Sequence, residues 1–196
     1  MPKAKYRKLP RSFYDRPTLD VAVDIIGKHI VYHSPQGKLS ARIVEIEAYV
    51  GEGDPACHAA RGQTTRNAVM FGQPGFTYVY FIYGMYHCLN FVTEPQGQAA
   101  ALLLRAAEPI DGTEIMGQRY PDKRQHQLLS GPGKFCRAFG LTREHNGLDL
   151  TKSVIYLEDS GEEATKIVTS PRVGINNGTE KLWRFYDANS SAVSRK

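Results

Sequence analysis

The sequence predicts a single domain of mixed α and β character, in the α+β class, and three observations predict it. At 196 residues the chain has the length of one domain, long enough to bury about 70% of its unfolded surface. Up to residue 106 the pattern is mostly two-residue alternation and short apolar runs, the marks of strands, and from residue 108 it turns helical before strands return. No repeat, low-complexity tract or interdomain linker interrupts it. Residues 12–187 are therefore expected to form the domain, between a flexible basic arm over 1–11 and a flexible tail over 188–196.

Each element follows from local chemistry. Lys3, Lys5, Arg7, Lys8 and Arg11 make the arm basic, as a segment touching phosphates, or a solvated tail, would be. Leu19, Val21, Ala22, Val23, Ile25 and Ile26 read as a short helix over 17–26, and Gly27 stops it. Strands over 28–32 and 39–50 follow, joined by a turn at 34–37. In the second strand Val44, Ile46, Ala48 and Val50 fall on one face, and Glu45, Glu47 and Tyr49 on the other. One face is core; the other carries carboxylates beside a phenol. The loop from Gly51 runs through Asp54, Pro55 and His58 to Thr65, placed to cap a short helix over 66–71.

Residues 77–92 read as a hairpin turning at Gly84 and Met85. Residues 99–106 are almost continuously apolar, hence a central strand, and Arg105 near its end needs a purpose or a partner. Helices are expected over 112–119, 123–129 and 132–139, the last with Pro132 at its first position. Ahead of it stands SGPGK, where free amides and Lys134 could receive a phosphate; it lacks the Walker spacing of a nucleotide site. Strands over 151–158, 166–169 and 181–186 complete the expected domain.

Charge and cysteine usage narrow the classes. Lys and Arg outnumber Asp and Glu by 25 to 20 and the isoelectric point is near 9.1, which leans toward a polyanionic partner without demanding one. Cys57, Cys88 and Cys136 form an odd set without a CxxC, and no apolar segment follows the basic N-terminus. A reduced, cytoplasmic protein is expected, nucleoid-associated in a bacterium. No apolar run approaches the ~20 residues of a membrane span. A metal site is not expected, and neither is a cofactor. Cys57 with His58, and His87 with Cys88, are neighbours whose side chains diverge on a strand, and His29 and His33 would lie roughly 13 Å apart.

Four tyrosines, Tyr78, Tyr80, Tyr83 and Tyr86, crowd a hairpin whose tip would ordinarily be polar. Such a hairpin is narrow enough to probe a minor groove roughly 6 Å wide. With Tyr80 and Tyr83 on opposite faces, one ring could stack on an extruded base while the other fills the gap left behind. Tyr78 and Tyr86 read equally well as core.

At these residues a resemblance becomes visible. VEIEAY at 44–49, CHAARG at 57–62 with TTRN at 64–67, YVYFIYGMYHCLN at 78–90, LLRAAEP at 103–109 and SGPGKFCRAF at 130–139 resemble the alkyladenine (methylpurine, or 3-methyladenine) DNA glycosylase family. The similarity keeps the family's order from about residue 9 to 186 and is weakest in both tails and over 159–166. It implies a curved, largely antiparallel sheet with flanking helices and a protruding hairpin. It also implies base flipping and monofunctional hydrolysis of the N-glycosidic bond of alkylated or deaminated purines in duplex DNA, leaving an abasic site. The purines are 3-methyladenine, 7-methylguanine, hypoxanthine and ethenoadenine, and the protein would act as a monomer.

Cleavage through a sugar cation asks for an ionised carboxylate that activates water. The family position falls on Glu47, with Arg105 beside it to hold it ionised and orient the same water, and Glu45 in support. From pattern alone, Glu47 reads more readily as a solvated polar-face residue, since the polar faces of half-buried strands usually meet water. Tyr49, His58 and Tyr80 match the family's base pocket, in which rings sandwich the purine and the His58 main-chain amide faces its 6-position. An amide donor there accepts hypoxanthine oxygen and meets another donor in adenine's amino group. Asn90 matches the position against the minor-groove edge of the flipped purine, although a surface amide fits the residue equally. Tyr83, next to the Gly84 turn where a ring projects farthest, is expected to be the intercalating ring, and Arg66 and Lys134 are expected to meet the DNA backbone. No lysine has a nucleophilic setting for a Schiff base. Ile46 and Ala59 depart from the family's usual threonine and serine, and Ala59 puts the hydrogen bonding of His58 in doubt. Two rivals stay open: a silent minor-groove binder, in which the Glu47 and Arg105 pair would have no use, and an enzyme acting on bases of single-stranded RNA.

Overall fold

The computed structural model describes residues 6–121, 124, 127–161, 164 and 166–195. Its elements run β1 (Arg7–Lys8), α1 (Arg11–Tyr14), α2 (Thr18–Asp24), β2 (His29–Ser34), β3 (Gly37–Val50), a 3₁₀ turn (Ala68–Phe71), β4 (Thr77–Ile82), β5 (Tyr86–Val92), β6 (Ala100–Asp111), α3 (Thr113–Gln118), α4 (Pro132–Phe139), a second 3₁₀ turn (Arg143–His145), β7 (Ile155–Asp159), β8 (Ile167–Ser170) and β9 (Arg184–Asp187). The strands form one open sheet in the order β1-β7-β2-β3-β6-β5-β4, with β8 and β9 branching from β3. Every pairing is antiparallel.

The sheet is organised by β3, 14 residues long. One edge pairs along β6; the other pairs first with β2, through Arg42, and then with β9, from Glu45 to Glu47. Register shifts at Ile43, Glu45 and Ile46 mark a bulge where the partner changes. The extra residue is Val44, which packs with Ala106 and Ala192 rather than sharing the Ile46 and Ala48 face as simple alternation predicts.

On one face of the sheet, Ile43, Ile46, Leu89, Phe91 and Leu104 meet residues of α2 and α4 in the main core, each large apolar side chain contributing about 1.5–3 kcal/mol by burial. Phe135, Cys136, Ala138 and Phe139 give α4 its buried stripe. The Phe135 and Phe139 rings stack at 4.3 Å, and Gly140, at φ 71°, ends the helix. The helix spans the predicted residues, with Pro132 in its first turn.

Several local expectations change. Thr65 caps nothing; Asn67 precedes the 3₁₀ turn, taking the Thr64 N–H at 2.6 Å and donating to the carbonyls of His58 and Gly62 at 2.9 and 3.1 Å. The strand expected over 151–158 begins at Ile155, because Asp149 accepts the N–H and hydroxyl of Thr151 in a tight turn. Of the helix expected over 123–129, residues 123, 125 and 126 lie outside the described residues, and 127–129 form a turn rather than an α-helix; residues 1–5 of the basic arm also lie outside them. The rest of that arm is tied down: Arg7 and Lys8 pair with β7, and Arg11 bonds Asp149 at 2.6 Å. Of the tail expected to be flexible over 188–196, Ser190, Ala192 and Val193 are buried. Ala192 is fully buried, and the Ser194 N–H and hydroxyl donate to Glu45 at 2.6 and 2.9 Å.

The β4 and β5 hairpin turns on Tyr83 and Gly84, both left-handed at φ 53° and 66°, rather than on Gly84 and Met85. Two consecutive positive φ values match the right-handed twist of the strands they join. The Tyr83 ring is 76% exposed at the tip.

Candidate active site

Glu45 and Glu47 lie on the face of β3 that alternation makes polar, yet both are fully buried. Residues 171–175 and the C-terminal segment cover that face, which no local pattern announces. Glu47 Oε1 accepts the Val173 N–H at 2.6 Å, and Oε2 accepts the Tyr49 hydroxyl at 2.9 Å and Arg105 Nη1 at 3.2 Å. Arg105, on β6, also reaches Glu45 Oε1 through Nε at 3.1 Å. Glu45 is further bonded by Arg184 at 2.7 Å and by Ser194. Two carboxylates and two guanidiniums thus form one neutral buried network, in which removing one partner costs about 3–5 kcal/mol.

Opposing effects set the Glu47 proton. Burial raises its pKa above the ordinary glutamate value, and Arg105, the Val173 N–H and the Tyr49 hydroxyl pull it back down without cancelling the rise. Burial and the adjacent carboxylate drive the Tyr49 phenol far up, so it stays protonated as a donor.

Beside this network a cavity of about 170 Å³ is lined by Tyr49, His58, Tyr78, Tyr80 and Asn90, with Ala56, Met70, Ala101 and Gly174. That volume is below the ~300 Å³ at which pockets for drug-sized ligands begin and suits one planar ring system. The Tyr78 and Tyr80 rings lie 5.3 Å apart, and the His58 ring meets Tyr80 edge-on at 4.7 Å. His58 Nδ1 and the Tyr78 hydroxyl share a 3.0 Å hydrogen bond. Burial, and then Arg66, lower the His58 pKa, favouring a neutral imidazole at neutral pH; burial pushes Tyr78 up to about 12. Asn90 donates its side-chain amide to the Tyr78 carbonyl at 2.9 Å, which leaves its oxygen end for the cavity.

The fold therefore gathers Glu47, Arg105, Tyr49, His58, Tyr80 and Asn90 from β3, β4, β5, β6 and one loop. Glu47 does not line the cavity itself; it stands behind Tyr49. Arg66 lies over the Tyr80 ring at 5.0 Å. Lys134 and Tyr83 stand apart, Lys134 in the first turn of α4, whose Gly133 packs against the Tyr86 ring, and Tyr83 at the hairpin tip. Tyr78 is buried, and Tyr86 is 40% exposed rather than core. Sequence reading missed Asp54, Arg172, Val173, Arg184 and Ser194. Arg184 carries a faint signal, a charge inside the apolar run that becomes β9; Val173 acts through its backbone and carries none. Among the described residues, no group of three or more His, Cys, Asp or Glu side chains is placed to hold a metal, and no helix is long and apolar enough to cross a membrane.

Comparison with known proteins bears on this site. A protein of Methanocella arvoryzae is 55% identical over 193 residues, covering 96% of both chains. One of Alkaliphilus oremlandii is 47% identical, covering 96% of this chain and all of its own, and one of Chlorobaculum tepidum is 44% identical, covering 96% and 91%. Each bears the name "Putative 3-methyladenine DNA glycosylase". The family model described as methylpurine-DNA glycosylase matches residues 12–191, and the chain belongs to that family.

Proposed function

We propose that this protein is a DNA-3-methyladenine glycosylase that flips alkylated or deaminated purines out of duplex DNA and hydrolyses their N-glycosidic bond, leaving an abasic site. The observation that carries the reading is Glu47, a fully buried carboxylate fixed by Val173, Tyr49 and Arg105 behind an aromatic cavity sized for one ring system. A carboxylate has about four lone-pair sites, and three are occupied, so one remains for a water molecule. That water would attack the sugar as the bond to the purine opens, giving its proton to Glu47 while Arg105 orients it. A protein that only binds DNA gains nothing from a buried carboxylate facing a polyanion.

In this reading Tyr49, Tyr80 and His58 enclose the flipped purine, and the His58 main-chain amide selects acceptors at its 6-position. Asn90 stands against the 2-position, Tyr83 fills the space the base leaves, and Arg66 and Lys134 meet the backbone. Hydrolysis of this kind needs no cofactor, and one chain supplies every residue invoked. The test is to incubate duplexes carrying 3-methyladenine, 7-methylguanine, hypoxanthine or ethenoadenine, treat with alkali, and look for strand breaks. Breaks at one or more lesions, with matched RNA untouched, are expected; intact strands for all four would end the reading.

A further inference from the structure

We propose that Arg172 is a positioning residue for base excision, holding the loop that carries His58, the ring of Tyr49 and the backbone donor to Glu47 as one rigid unit. The proposal rests on the reading of Glu47 as the carboxylate that activates water. Its basis is the convergence of contacts on one guanidinium. The side chain is fully buried and grips Asp54 with both ends of its fork, Nη1 to Oδ2 at 2.6 Å and Nη2 to Oδ1 at 2.7 Å. Asp54 in turn accepts the N–H groups of Val50 and Ala56 at 3.3 and 3.2 Å, so the turn leading to His58 is fixed through it. Nη1 also donates to the carbonyl of Ala48 at 2.9 Å, between Glu47 and Tyr49. The planar face lies over the Tyr49 ring at 4.7 Å and the Trp183 ring at 5.2 Å. The next residue along, Val173, sends its N–H to Glu47 at 2.6 Å.

Stability alone does not account for this arrangement. Buried ion pairs contribute little net stability compared with well-packed apolar side chains. Neutralising Asp54 would need only a point charge, which lysine supplies, whereas bidentate bonding and stacking on two rings need a planar fork. The groups that face Glu47 are Tyr49 and Glu45 from β3, Cys88 from β5, Arg105 from β6, and Arg172 with the Val173 N–H from the loop; lysine at 172 keeps the charge, and Arg184 and Ser194 reach Glu45.

The experiment uses Arg172→Lys in the full chain, assayed at saturating protein on a hypoxanthine-containing duplex across pH. The single-turnover excision rate is expected to fall about 10- to 100-fold, as when a catalytic constellation is displaced by a fraction of an ångström, with duplex affinity near wild type. The acid limb of the rate is expected to move to higher pH, because a loosened Val173 N–H favours the ionised carboxylate less. A residue with only a structural role would lower the melting temperature and leave the limb in place. An unmoved limb with a wild-type rate per folded molecule overturns the proposal. If the lysine variant does not fold, Trp183→Leu removes one of the two rings against the guanidinium and must shift the limb the same way by less; an unmoved limb there overturns it equally. Glu47→Gln run alongside separates the two readings: a fast Glu47→Gln removes the role of Glu47, and a slow one beside an unmoved Arg172→Lys limb removes only that of Arg172.

Discussion

Glu47 makes the sharpest claims at the scale of single residues. Glutamine keeps its size and an acceptor for Arg105 and Tyr49 but cannot take a proton from water. Glu47→Gln should therefore bind lesion duplex nearly as wild type and lose excision by roughly 10²-fold or more, and an abasic-site assay with a parallel gel-shift titration separates the two effects. The Glu47 proton gives a second prediction. In the proposed mechanism excision needs the carboxylate ionised, and burial raises its pKa in the folded protein, so activity is expected above that raised value and is lost as pH falls through it. The acid limb of the pH profile should lie above the ordinary glutamate pKa of about 4.3, measured as excision rate at subsaturating duplex; a limb at or below it would mean that Arg105 outweighs burial. Asn90 gives the third. Its side-chain amide is fixed to the Tyr78 carbonyl, so it cannot swing aside for a purine 2-amino group. Asn90→Ser or Asn90→Ala should still excise hypoxanthine and gain activity on guanine opposite thymine, where flipping is easiest. An unchanged ratio of guanine to hypoxanthine excision would leave Asn90 a structural amide.

Among the elements, the β4 and β5 hairpin stands out because its tip spends conformational energy to display an aromatic ring. A left-handed backbone costs a non-glycine residue about 1–2 kcal/mol, yet Tyr83 adopts one at φ 53° and leaves its ring in solvent. A strained residue with an exposed ring is difficult to explain by packing. Tyr83→Ala should weaken binding to a duplex lesion by ~1–3 kcal/mol, as loss of a stacked ring does, and weaken binding to the same lesion in a loose bulge by less. Fluorescence anisotropy on both substrates tests this; equal losses would argue against a wedge. The hairpin was legible beforehand because alternation and Gly84 are local signals, but its centre was misplaced by one residue. Glycine tolerates either turn position, and the Met85 N–H bonded to the Ile82 carbonyl, with positive φ at Tyr83 and Gly84, decides between them.

For the whole molecule, the C-terminal segment is part of the candidate site's scaffold. Ser194 gives Glu45 two hydrogen bonds, and Ala192 covers Val44 and Ala106. Deleting residues 192–196 should cost about 2 kcal/mol or more, lowering the melting temperature by roughly 4–8 °C; an unaltered melting curve by circular dichroism would return the segment to a loose tail. Length, strand alternation, the apolar run of β6 and the stripe of α4 determined the α+β class, most elements and the face of β3 that carries Glu47, because these depend on neighbours in sequence and on the periods of strand and helix. Burial of that face was decided only by tertiary structure. Arg172, Val173, Arg184 and Ser194 reach Glu45, Glu47 or Tyr49 across long stretches of chain, and a residue that closes a site from so far away leaves no periodic trace near it. Local pattern could supply the carboxylates and the rings, but only the assembled fold could remove them from water and fix their donors.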